Sequence, residues 1–321
     1  MNVIELFAGA GGAALGLRAA GLKHLAMIDR DPVCCATLRA NGFNSAIEAC
    51  VGDLPKLFRP EWRGVDLVWA SFPCQPFSTA GSKRSVGDDR NCWPMTARAI
   101  DIIEPRWFLA ENVQGLTFHR RGCGFRQGGL FQAGSAQCPG CYLASTIMRD
   151  LRDRFAFTGC EVLNCADYGT PQTRKRLVMW GGPSRLAMPT PSHGKGTGQP
   201  WVSMSTAIGV TATVDGGRNS TANPRQERPI DGSEPCFTIG TRGNQVVRSP
   251  DGSKRRLEPE ECKILQGFPA SYRITGNSKI SRFRQVGNAV PPQLAEALGR
   301  SVMAAKWMTD QTRNEPKRSE L

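Results

Sequence analysis

The sequence lacks the features that would place the protein in a membrane or outside the cell. No run approaches the roughly 20 consecutive apolar residues that a membrane-spanning helix requires. The opening residues, MNVIELFAGAGG, lack a basic segment followed by an apolar core of signal-peptide length. We therefore expect a cytoplasmic protein that has no membrane partner and whose cysteines are kept reduced.

Acidic residues are scarce as well. The 321 residues include 28 Asp and Glu against 41 Lys and Arg, which gives a formal net charge of +13. A surface of this sign attracts a polyanion such as nucleic acid, although a merely basic surface would have the same composition. Twelve cysteines are present. In a reducing compartment we expect most of them to be small core residues, so any other role has to be argued from position.

An internal repeat is also absent, and the chain divides instead by composition. From residue 1 to about 182, short apolar runs alternate with helix-like segments, which predicts an α/β fold with a mostly parallel sheet. The candidate strands are NVIELF, HLAMID, VDLVWAS, RWFLAEN, CEVLNCA and KRLVMWG. Residues 183 to about 250 are rich in Gly, Ser, Thr, Pro and Arg, which indicates a loop-rich second domain. Apolar spacing predicts a final helix over residues 292–307, followed by a disordered tail, 308–321.

The first candidate strand runs into a glycine-rich turn, FAGAGGAALGL. Gly9, Gly11 and Ala14 have the G-x-G-x-x-G/A spacing at which the backbone turns tightly and the amide end of a helix meets a ligand. Asp29 ends the second candidate strand, where an acid would hydrogen-bond ribose hydroxyls. Asp53 follows a third strand end, where it would receive an adenine amino group or be an ordinary turn aspartate. The pattern fits a nicotinamide dehydrogenase, an S-adenosylmethionine enzyme, or a turn that binds nothing.

A cysteine, Cys74, stands between two prolines in SFPCQPFS, directly after the apolar run VDLVWA. A thiol with its reference pKa of about 8.5 is mostly protonated at neutral pH, yet a stiff turn that holds sulfur against an electrophilic carbon raises its effective concentration. Glu111 ends the next candidate strand, so a carboxyl group would share the sheet edge with the thiol and act as proton donor in a covalent addition. The alternative is a plain proline-rich turn beside a solvated glutamate.

Five blocks of the chain, in this order, resemble the cytosine-5 DNA methyltransferases: FAGAGG, PCQPFS, ENV, QTRKRL and QVGNAVPP. The resemblance covers residues 1–182 and about 254–305. It implies an α/β fold in which a Rossmann-like S-adenosylmethionine-dependent methyltransferase domain, residues 1–182 plus 285–307, carries a smaller loop-rich target-recognition domain, residues 183–284. It also implies transfer of a methyl group from S-adenosylmethionine to carbon 5 of a flipped-out cytosine in a specific duplex DNA sequence, through a covalent adduct with Cys74.

The same resemblance implies roles for individual residues. Cys74 would be the nucleophile and Glu111 the acid that holds the base. Arg174 and Arg176 of QTRKRL would approach the target base and the nearby backbone.

The S-adenosylmethionine pocket is likewise implied by the resemblance. Its lining would comprise Phe7, Gly9, Gly11, Asp29, Asp53 and Asn288. One position departs from the family, because Arg30 stands where many relatives place a large apolar or aromatic side chain against the adenine. We therefore include Arg30 in the pocket but leave the packing of the adenine open.

The implied partner is double-stranded DNA. Residues 75–89 are small and polar, as expected of a mobile lid, and the candidate DNA contacts there are Gln75, Ser78, Lys83 and Arg84. In the second domain the candidate phosphate or guanine contacts are Arg218, Arg225, Arg228, Arg242 and Arg248. The resemblance further implies a monomer of bacterial or phage origin, with a cognate restriction endonuclease that is paired with it in function but not bound.

An insertion after ENVQGL is longer than this family usually has before its next helix. It contains His119, Cys123, Cys138 and Cys141, that is H-x3-C followed by C-x2-C, and short pairs of this kind favour one tetrahedral zinc ion. A Gly-rich segment with few large apolar residues would gain order from such a metal. The alternative is a flexible loop with free thiols.

Three other functions remain open at this point. A tRNA cytosine methyltransferase is suggested by Cys236-Phe237-Thr238, which is similar to a short signature of that branch. A nicotinamide oxidoreductase would use the glycine turn but would leave Cys74 and Glu111 without a role. A catalytically silent DNA-binding module would have no need of either side chain.

Overall fold

A central β-sheet organises the larger part of the protein. The computed structural model describes residues 1–73, 91–119, 123, 138–210, 213–215, 230–249 and 251–314. Its strands are β1 (Asn2–Leu6), β2 (Lys23–Asp29), β3 (Ala46–Glu48), β4 (Leu67–Ala70), β5 (Trp107–Val113), β6 (Phe157–Asn164) and β7 (Lys175–Gly182). They form a seven-stranded sheet in the order β3-β2-β1-β4-β5-β7-β6. Neighbouring strands are parallel except where β7 pairs with β5 and with β6.

Helices connect the strands and extend into the second part of the chain. They are α1 (Gly12–Ala19), α2 (Pro32–Ala40), α3 (Leu54–Leu57), α4 (Trp93–Ile103), α5 (Pro139–Tyr142), α6 (Met148–Arg152), α7 (Met204–Ile208), α8 (Pro259–Leu265), α9 (Lys279–Asn288) and α10 (Pro292–Asn314). A π-helical turn, Leu143–Ile147, joins α5 to α6. Local sequence explains several starts; for example, the Asp31 side chain accepts a hydrogen bond from the Val33 amide at the start of α2.

Both faces of the sheet are buried, which explains why its strands read as continuous apolar runs. On one face Ile4, Val68 and Phe108 pack under α4, α5 and α6. On the other face Leu67 and Leu109 pack under α1 and α10. Helices α1 and α10 approach so closely that a Cβ atom on Gly16 would overlap the main chain at Pro292. Position 16 therefore requires glycine.

The predicted α/β fold with a mostly parallel sheet is confirmed, and all six candidate strands form. The final helix is longer than predicted, since α10 continues to Asn314 instead of ending near residue 307. Its last turns are held by an ion pair that is remote in sequence, in which Arg106 Nη2 lies 2.7 Å from Asp310 Oδ1. Lys306 Nζ lies 3.0 Å from the same carboxylate, at Oδ2.

Residues 204–286 build a separate apolar cluster. Its small antiparallel sheet has the order β10-β9-β8, with strands β8 (Thr213–Asp215), β9 (Val246–Arg248) and β10 (Lys254–Arg256). Side chains of this sheet pack with α7, α8 and α9 around Met204, Val247, Leu265 and Phe283. The chain then returns through α10 to the large sheet. The division at residues 183 and 284 stays a prediction.

The described part of the chain contains eleven cysteines, all as free thiols, and eight of them are buried. Within the same residues, no helix combines the length and the apolar composition needed to cross a membrane.

Candidate functional site

The candidate site lies where strands β1, β2, β4 and β5 end along one edge of the sheet. Strand β1 has β2 on one side and β4 on the other, so the chain winds outward in opposite directions from this point. Open α/β sheets bind ligands in the crevice at such a switch point. The glycine turn, Asp29, the approach to Cys74 and Glu111 all follow or end these strands.

The turn after β1 is built from residues with positive φ. Phe7 has φ of 57°, a strained value for a residue with a side chain, and Gly9 and Gly11 have φ of 53° and 82°. A Cβ atom on Gly9 would meet no atom within 4 Å, so there is open space beside this backbone. At Gly11 a Cβ atom would lie 2.5 Å from the Tyr272 hydroxyl oxygen. One glycine therefore leaves room for a ligand, and the other allows the turn to pack against the returning chain.

Asp29 connects the glycine turn to the end of β2. Its Oδ2 accepts a hydrogen bond from the Gly9 amide at 2.7 Å, and its Oδ1 accepts one from the Asp31 amide at 2.8 Å. Burial raises the pKa of this carboxyl group, and the two amide bonds act in the opposite direction. A carboxylate has further lone pairs, so Asp29 has the capacity to accept hydroxyl hydrogens from a ligand as well.

The other predicted cofactor residues are exposed around this turn. Arg30 follows β2, Asp53 ends the turn Val51–Asp53 after β3, and Asn288 is the last residue of α9. The carboxylate of Asp53 lies 3.7 Å from Lys56 Nζ in an exposed ion pair. All three side chains are therefore accessible to a ligand.

A buried ion pair stands at the end of β5. Glu111 Oε1 lies 2.8 Å from Arg176 Nε, and both side chains are buried. The pair forms because β7 runs antiparallel to β5, with Glu111 opposite Val178 and Val113 opposite Arg176. Arg176 also donates from Nη1 to the Lys175 carbonyl at 2.7 Å. The carboxylate is thus held in one orientation by a charged partner.

Arg174 occupies a different environment from the one predicted by its place in QTRKRL. Its guanidinium group is buried and donates to three main-chain carbonyls, those of Ile239, Gly287 and Ala289, at 2.8–3.2 Å. Burial and the nearby positive charge of Arg176 lower the pKa of Arg174 to about 9, which leaves the guanidinium charged at neutral pH. Its two terminal nitrogens therefore hold the second part of the chain to the sheet, whereas Nε is buried without a partner among the described residues.

Asn112, the residue after Glu111, has a role that we did not predict. Its buried side-chain amide donates from Nδ2 to the carbonyl of Phe72 at 3.0 Å. The ring of Phe72 packs against Trp93, with centroids 5.5 Å apart. The chain that leads into Cys74 is therefore fixed by the strand that carries the glutamate. The only sequence signal for this contact was the position of Asn112 inside the block ENV.

Several predicted site residues lie outside the described part of the chain. They are Cys74, Gln75, Ser78, Lys83, Arg84, Arg218, Arg225 and Arg228. Of the predicted DNA contacts in the second domain, Arg242 is exposed in a turn and Arg248 is exposed at the end of β9.

The four candidate metal ligands converge as their spacing predicted. The ligand atoms of His119, Cys123, Cys138 and Cys141 all lie within 4.8 Å of one another. His119 Nδ1 is 3.8 Å from the Sγ atoms of Cys123 and Cys138 and 3.6 Å from that of Cys141. Burial and the two neighbouring thiols raise the pKa of Cys141 to about 12.

Comparisons with known proteins agree with this geometry. Residues 1–197 and 218–304 match the family described as C-5 cytosine-specific DNA methylase. The type II methyltransferase M.NaeI of Lentzea aerocolonigenes is 28% identical over 344 aligned positions, which cover 98% of this chain and 77% of the relative. The type II methyltransferase M.BspRI of Lysinibacillus sphaericus is 30% identical, with 96% of this chain and 83% of the relative covered.

Solved structures share the fold. The Dnmt2 methyltransferase of S. pombe superposes with a TM-score of 0.65 at 15% identity, and the match covers 95% of this chain and 99% of that one. At this identity the likeness establishes the architecture alone, while the family match and the 30% identical relative establish membership. The chain belongs to the C-5 cytosine-specific DNA methylase family and is a DNA cytosine-5-methyltransferase that takes its methyl group from S-adenosylmethionine.

Proposed function

We propose that the protein methylates a cytosine flipped out of duplex DNA at a specific sequence, through a covalent adduct between carbon 6 of the base and Cys74. The observation that carries this mechanism is the strand end of β5. There Glu111 is held by Arg176, and the next residue, Asn112, fixes the chain two residues before Cys74. A nucleophile and an acid are in this way supported by adjacent residues of one strand.

The chemistry requires both groups, because carbon 5 of cytosine is a poor nucleophile. Attack of the Cys74 thiolate forms a sulfur–carbon 6 bond, and a proton or hydrogen bond from Glu111 at ring nitrogen 3 stabilises the resulting enamine. Carbon 5 then takes the methyl group from the sulfonium, whose carbon–sulfur bond breaks to give S-adenosylhomocysteine. A base removes the proton from carbon 5, and elimination breaks the bond to Cys74 and restores the ring. Flipping the base out of the stack costs a few kcal/mol and exposes the face that sulfur attacks.

The cofactor is assigned to the crevice beside the glycine turn. The open space at Gly9 would admit the amino acid part of S-adenosylmethionine, and Asp29 would accept the ribose hydroxyls. Asp53 would receive the adenine amino group, and Asn288 would return to the pocket from the other side. Phe7 and Gly11 would shape the turn. Arg30 is exposed, so its aliphatic part would cover the adenine where relatives use a larger apolar group.

The two arginines of QTRKRL take separate roles in this proposal. Arg176 orients Glu111 through their ion pair, and at this position it would also face the target base. Arg174 is a positioning residue, because its two terminal nitrogens donate to main-chain carbonyls of residues 239, 287 and 289.

Duplex DNA would dock against the second domain and residues 75–89. Exposed basic side chains support this assignment. Arg242 and Arg248 were predicted, and the hairpin between β9 and β10 adds Lys254 and Arg256, which are exposed as well. Such contacts position the duplex by its phosphates, and a smaller number read bases. We assign Gln75, Ser78, Lys83, Arg84, Arg218, Arg225 and Arg228 to the same DNA contact by their sequence positions.

The named relatives support a proposal for the cellular setting. Both are bacterial type II methyltransferases. We infer that this chain acts as a monomer in a bacterial or phage-infected cytoplasm, and that its methylation protects sites from a restriction endonuclease with which it is paired in function without forming a complex.

The tRNA alternative receives little support from the structure around Cys236. This thiol is buried, and burial raises its pKa to about 12. The main chain of Cys236 bonds on both sides, donating to the Pro171 carbonyl and accepting from the Thr173 amide. These contacts give Cys236 a structural role next to QTRKRL, and the DNA family match favours DNA as the substrate.

We also propose that His119, Cys123, Cys138 and Cys141 bind one structural zinc ion. In a tetrahedral site with Zn–S of about 2.3 Å and Zn–N of about 2.0 Å, nitrogen and sulfur ligands lie roughly 3.6 Å apart. The three distances from His119 Nδ1, 3.6–3.8 Å, fit this value. Hydrogen bonds alone would not explain the convergence of three thiols, because Nδ1 has a single lone pair to accept with.

The first prediction tests the nucleophile. Wild-type protein should transfer labelled methyl groups from S-adenosylmethionine to mixed-sequence duplex DNA and not to tRNA. Cys74→Ser should reduce this rate to below about 1% while cofactor affinity stays within twofold, since the thiol is needed for the covalent step alone. Radiolabel incorporation and calorimetry measure the two quantities. A serine variant that keeps more than a few per cent of the rate would exclude Cys74 as nucleophile, and preferential labelling of tRNA would overturn the substrate.

The second prediction concerns Glu111. Glu111→Gln keeps the shape but removes the acid, so the single-turnover rate should fall by about 10²–10⁴ while duplex affinity is retained. The matched control is Glu161→Gln, because Glu161 lies opposite the same residue, Val178, on the other side of β7 and is exposed. The control should be as active as wild type. Equal rates for the two variants would show that another group protonates the ring.

The third prediction concerns the metal. Protein purified without chelator should contain about one equivalent of zinc, since closed sites with four N and S ligands hold it tightly. Cys138→Ser should lose the metal and make the chain after His119 sensitive to protease. Cys160→Ser is the control, because Cys160 is exposed and remote from the cluster in sequence. Metal analysis well below half an equivalent in wild-type protein would favour the loop with free thiols.

A further inference from the structure

Two of the candidate metal ligands share a helical turn with a tyrosine. Cys138 is the N-cap of α5, Cys141 lies in that helix, and Tyr142 is its last residue. The Tyr142 amide donates to the Cys138 carbonyl at 2.9 Å, so the tyrosine and two of the ligands share a single helical turn. Wherever the ligands place this turn, they also place the Tyr142 ring.

The Tyr142 hydroxyl is hydrogen-bonded to the side chain of Asn91. Asn91 Nδ2 donates to the hydroxyl oxygen at 2.8 Å, and the hydroxyl lies 3.2 Å from Asn91 Oδ1. That amide oxygen is also 3.3 Å from the Trp93 amide at the start of α4. In sequence, Asn91 stands 17 residues after Cys74. The chain on the other side of Cys74 is fixed at Phe72 by Asn112, so Tyr142 supplies the second of two anchors.

The same cluster also holds the exit from the strand that carries Glu111. His119 follows β5 after the turn Gln114–Thr117. The carbonyl of Phe118 accepts the Gly140 amide at 3.0 Å, and a Cβ atom on Gly140 would lie 2.6 Å from His119 Nε2. The histidine side and the cysteine side of the cluster are therefore in direct contact across α5.

The helical turn that carries the ligands is short and depends on its packing against the sheet. Helix α5 has four residues and continues as a π-helical turn, and helices this short are not stable on their own. π-helical turns recur at functional sites. Neutral thiols around one imidazole provide only weak hydrogen bonds. A bound ion would join four side chains at one point and fix the turn.

We propose that the zinc site positions Asn91 through Tyr142, and that this contact supports the covalent step in which Cys74 takes part. This inference rests on the methyl transfer and the zinc site proposed above. Tyr142 and Asn91 are positioning residues that touch neither substrate nor cofactor. Loss of the metal or of the Tyr142 hydroxyl lowers the rate of the covalent step and leaves binding of S-adenosylmethionine within about twofold, because neither Tyr142 nor Asn91 is among the residues assigned to the cofactor.

The test compares Tyr142→Phe with Tyr168→Phe in zinc-loaded full-length protein. Both hydroxyls are on buried rings and hydrogen-bonded, Tyr168 to the Pro189 carbonyl at 2.9 Å, so each variant removes one buried, hydrogen-bonded hydroxyl. We expect Tyr142→Phe to keep about one zinc, to bind S-adenosylmethionine within twofold of wild type, and to lose roughly tenfold in single-turnover methyl transfer, the size expected for one buried hydrogen bond. Tyr168→Phe should be within twofold of wild type in all three measurements.

A second comparison asks whether the metal acts through this contact. Removal of zinc by chelation should slow wild-type protein at least as much as Tyr142→Phe does, and should slow the Tyr142→Phe variant by less than about threefold more. Asn91→Ala serves as an independent variant and should give the same loss, without adding to that of Tyr142→Phe.

The outcomes separate the three proposals. A zinc-loaded Tyr142→Phe variant within twofold of the wild-type rate would overturn the anchor and leave the zinc site standing. Independent, multiplicative losses from the variant and from zinc removal would overturn it as well. Wild-type protein without zinc would contradict the metal site, and wild-type protein unable to methylate any duplex would contradict the function.

Discussion

Two buried guanidinium groups determine how the parts of this site are assembled. A charged group that leaves water without a partner costs several kcal/mol, so Arg174 and Arg176 each require a defined set of acceptors. Arg176 is paired with Glu111, which fixes the end of β5 against β7. The terminal nitrogens of Arg174 donate to the carbonyls of Ile239, of Gly287 in α9 and of Ala289 after it, which ties these segments to the sheet, while its Nε is buried without a partner among the described residues. The block QTRKRL is therefore where Glu111, the segment around Ile239 and the chain at the end of α9 are brought together.

The approach to Cys74 depends on contacts of a second kind. These contacts are hydrogen bonds from neutral side-chain amides. Before Cys74 in sequence, Asn112 donates to the carbonyl of Phe72; after it, Asn91 donates to the hydroxyl of Tyr142. Covalent addition requires sulfur to meet carbon 6 with little tolerance in distance, and displacements of about 1 Å can cost a hundredfold in rate. A thiol placed by its own short turn would not meet this requirement unless the turn were anchored to the sheet. The proposed zinc site would extend these contacts from the sheet to the helical turn that carries Cys138 and Cys141.

The sequence predicted those features that depend on short patterns of neighbouring residues. Strands buried on both faces appear as continuous apolar runs, and short Cys and His spacings bring ligands together, so the parallel sheet and the cluster at Cys138 could be predicted. Contacts that depend on strand register or on distant segments could not. The antiparallel alignment that brings Arg176 to Glu111, the commitment of Arg174 to carbonyls, and the extension of α10 through the ion pair with Arg106 carry no signature within any short window of the chain.

The proposed mechanism requires Cys74 to form a bond to the target base beside Glu111. Duplex DNA in which 5-fluorocytosine replaces cytosine tests it directly, because after methyl transfer no proton remains on carbon 5 to be removed and the adduct cannot eliminate. The protein, incubated with this DNA and S-adenosylmethionine and then digested, should yield one peptide joined to DNA, and mass spectrometry should place the bond at Cys74. Absence of a covalent complex, or attachment at another residue, would contradict the mechanism.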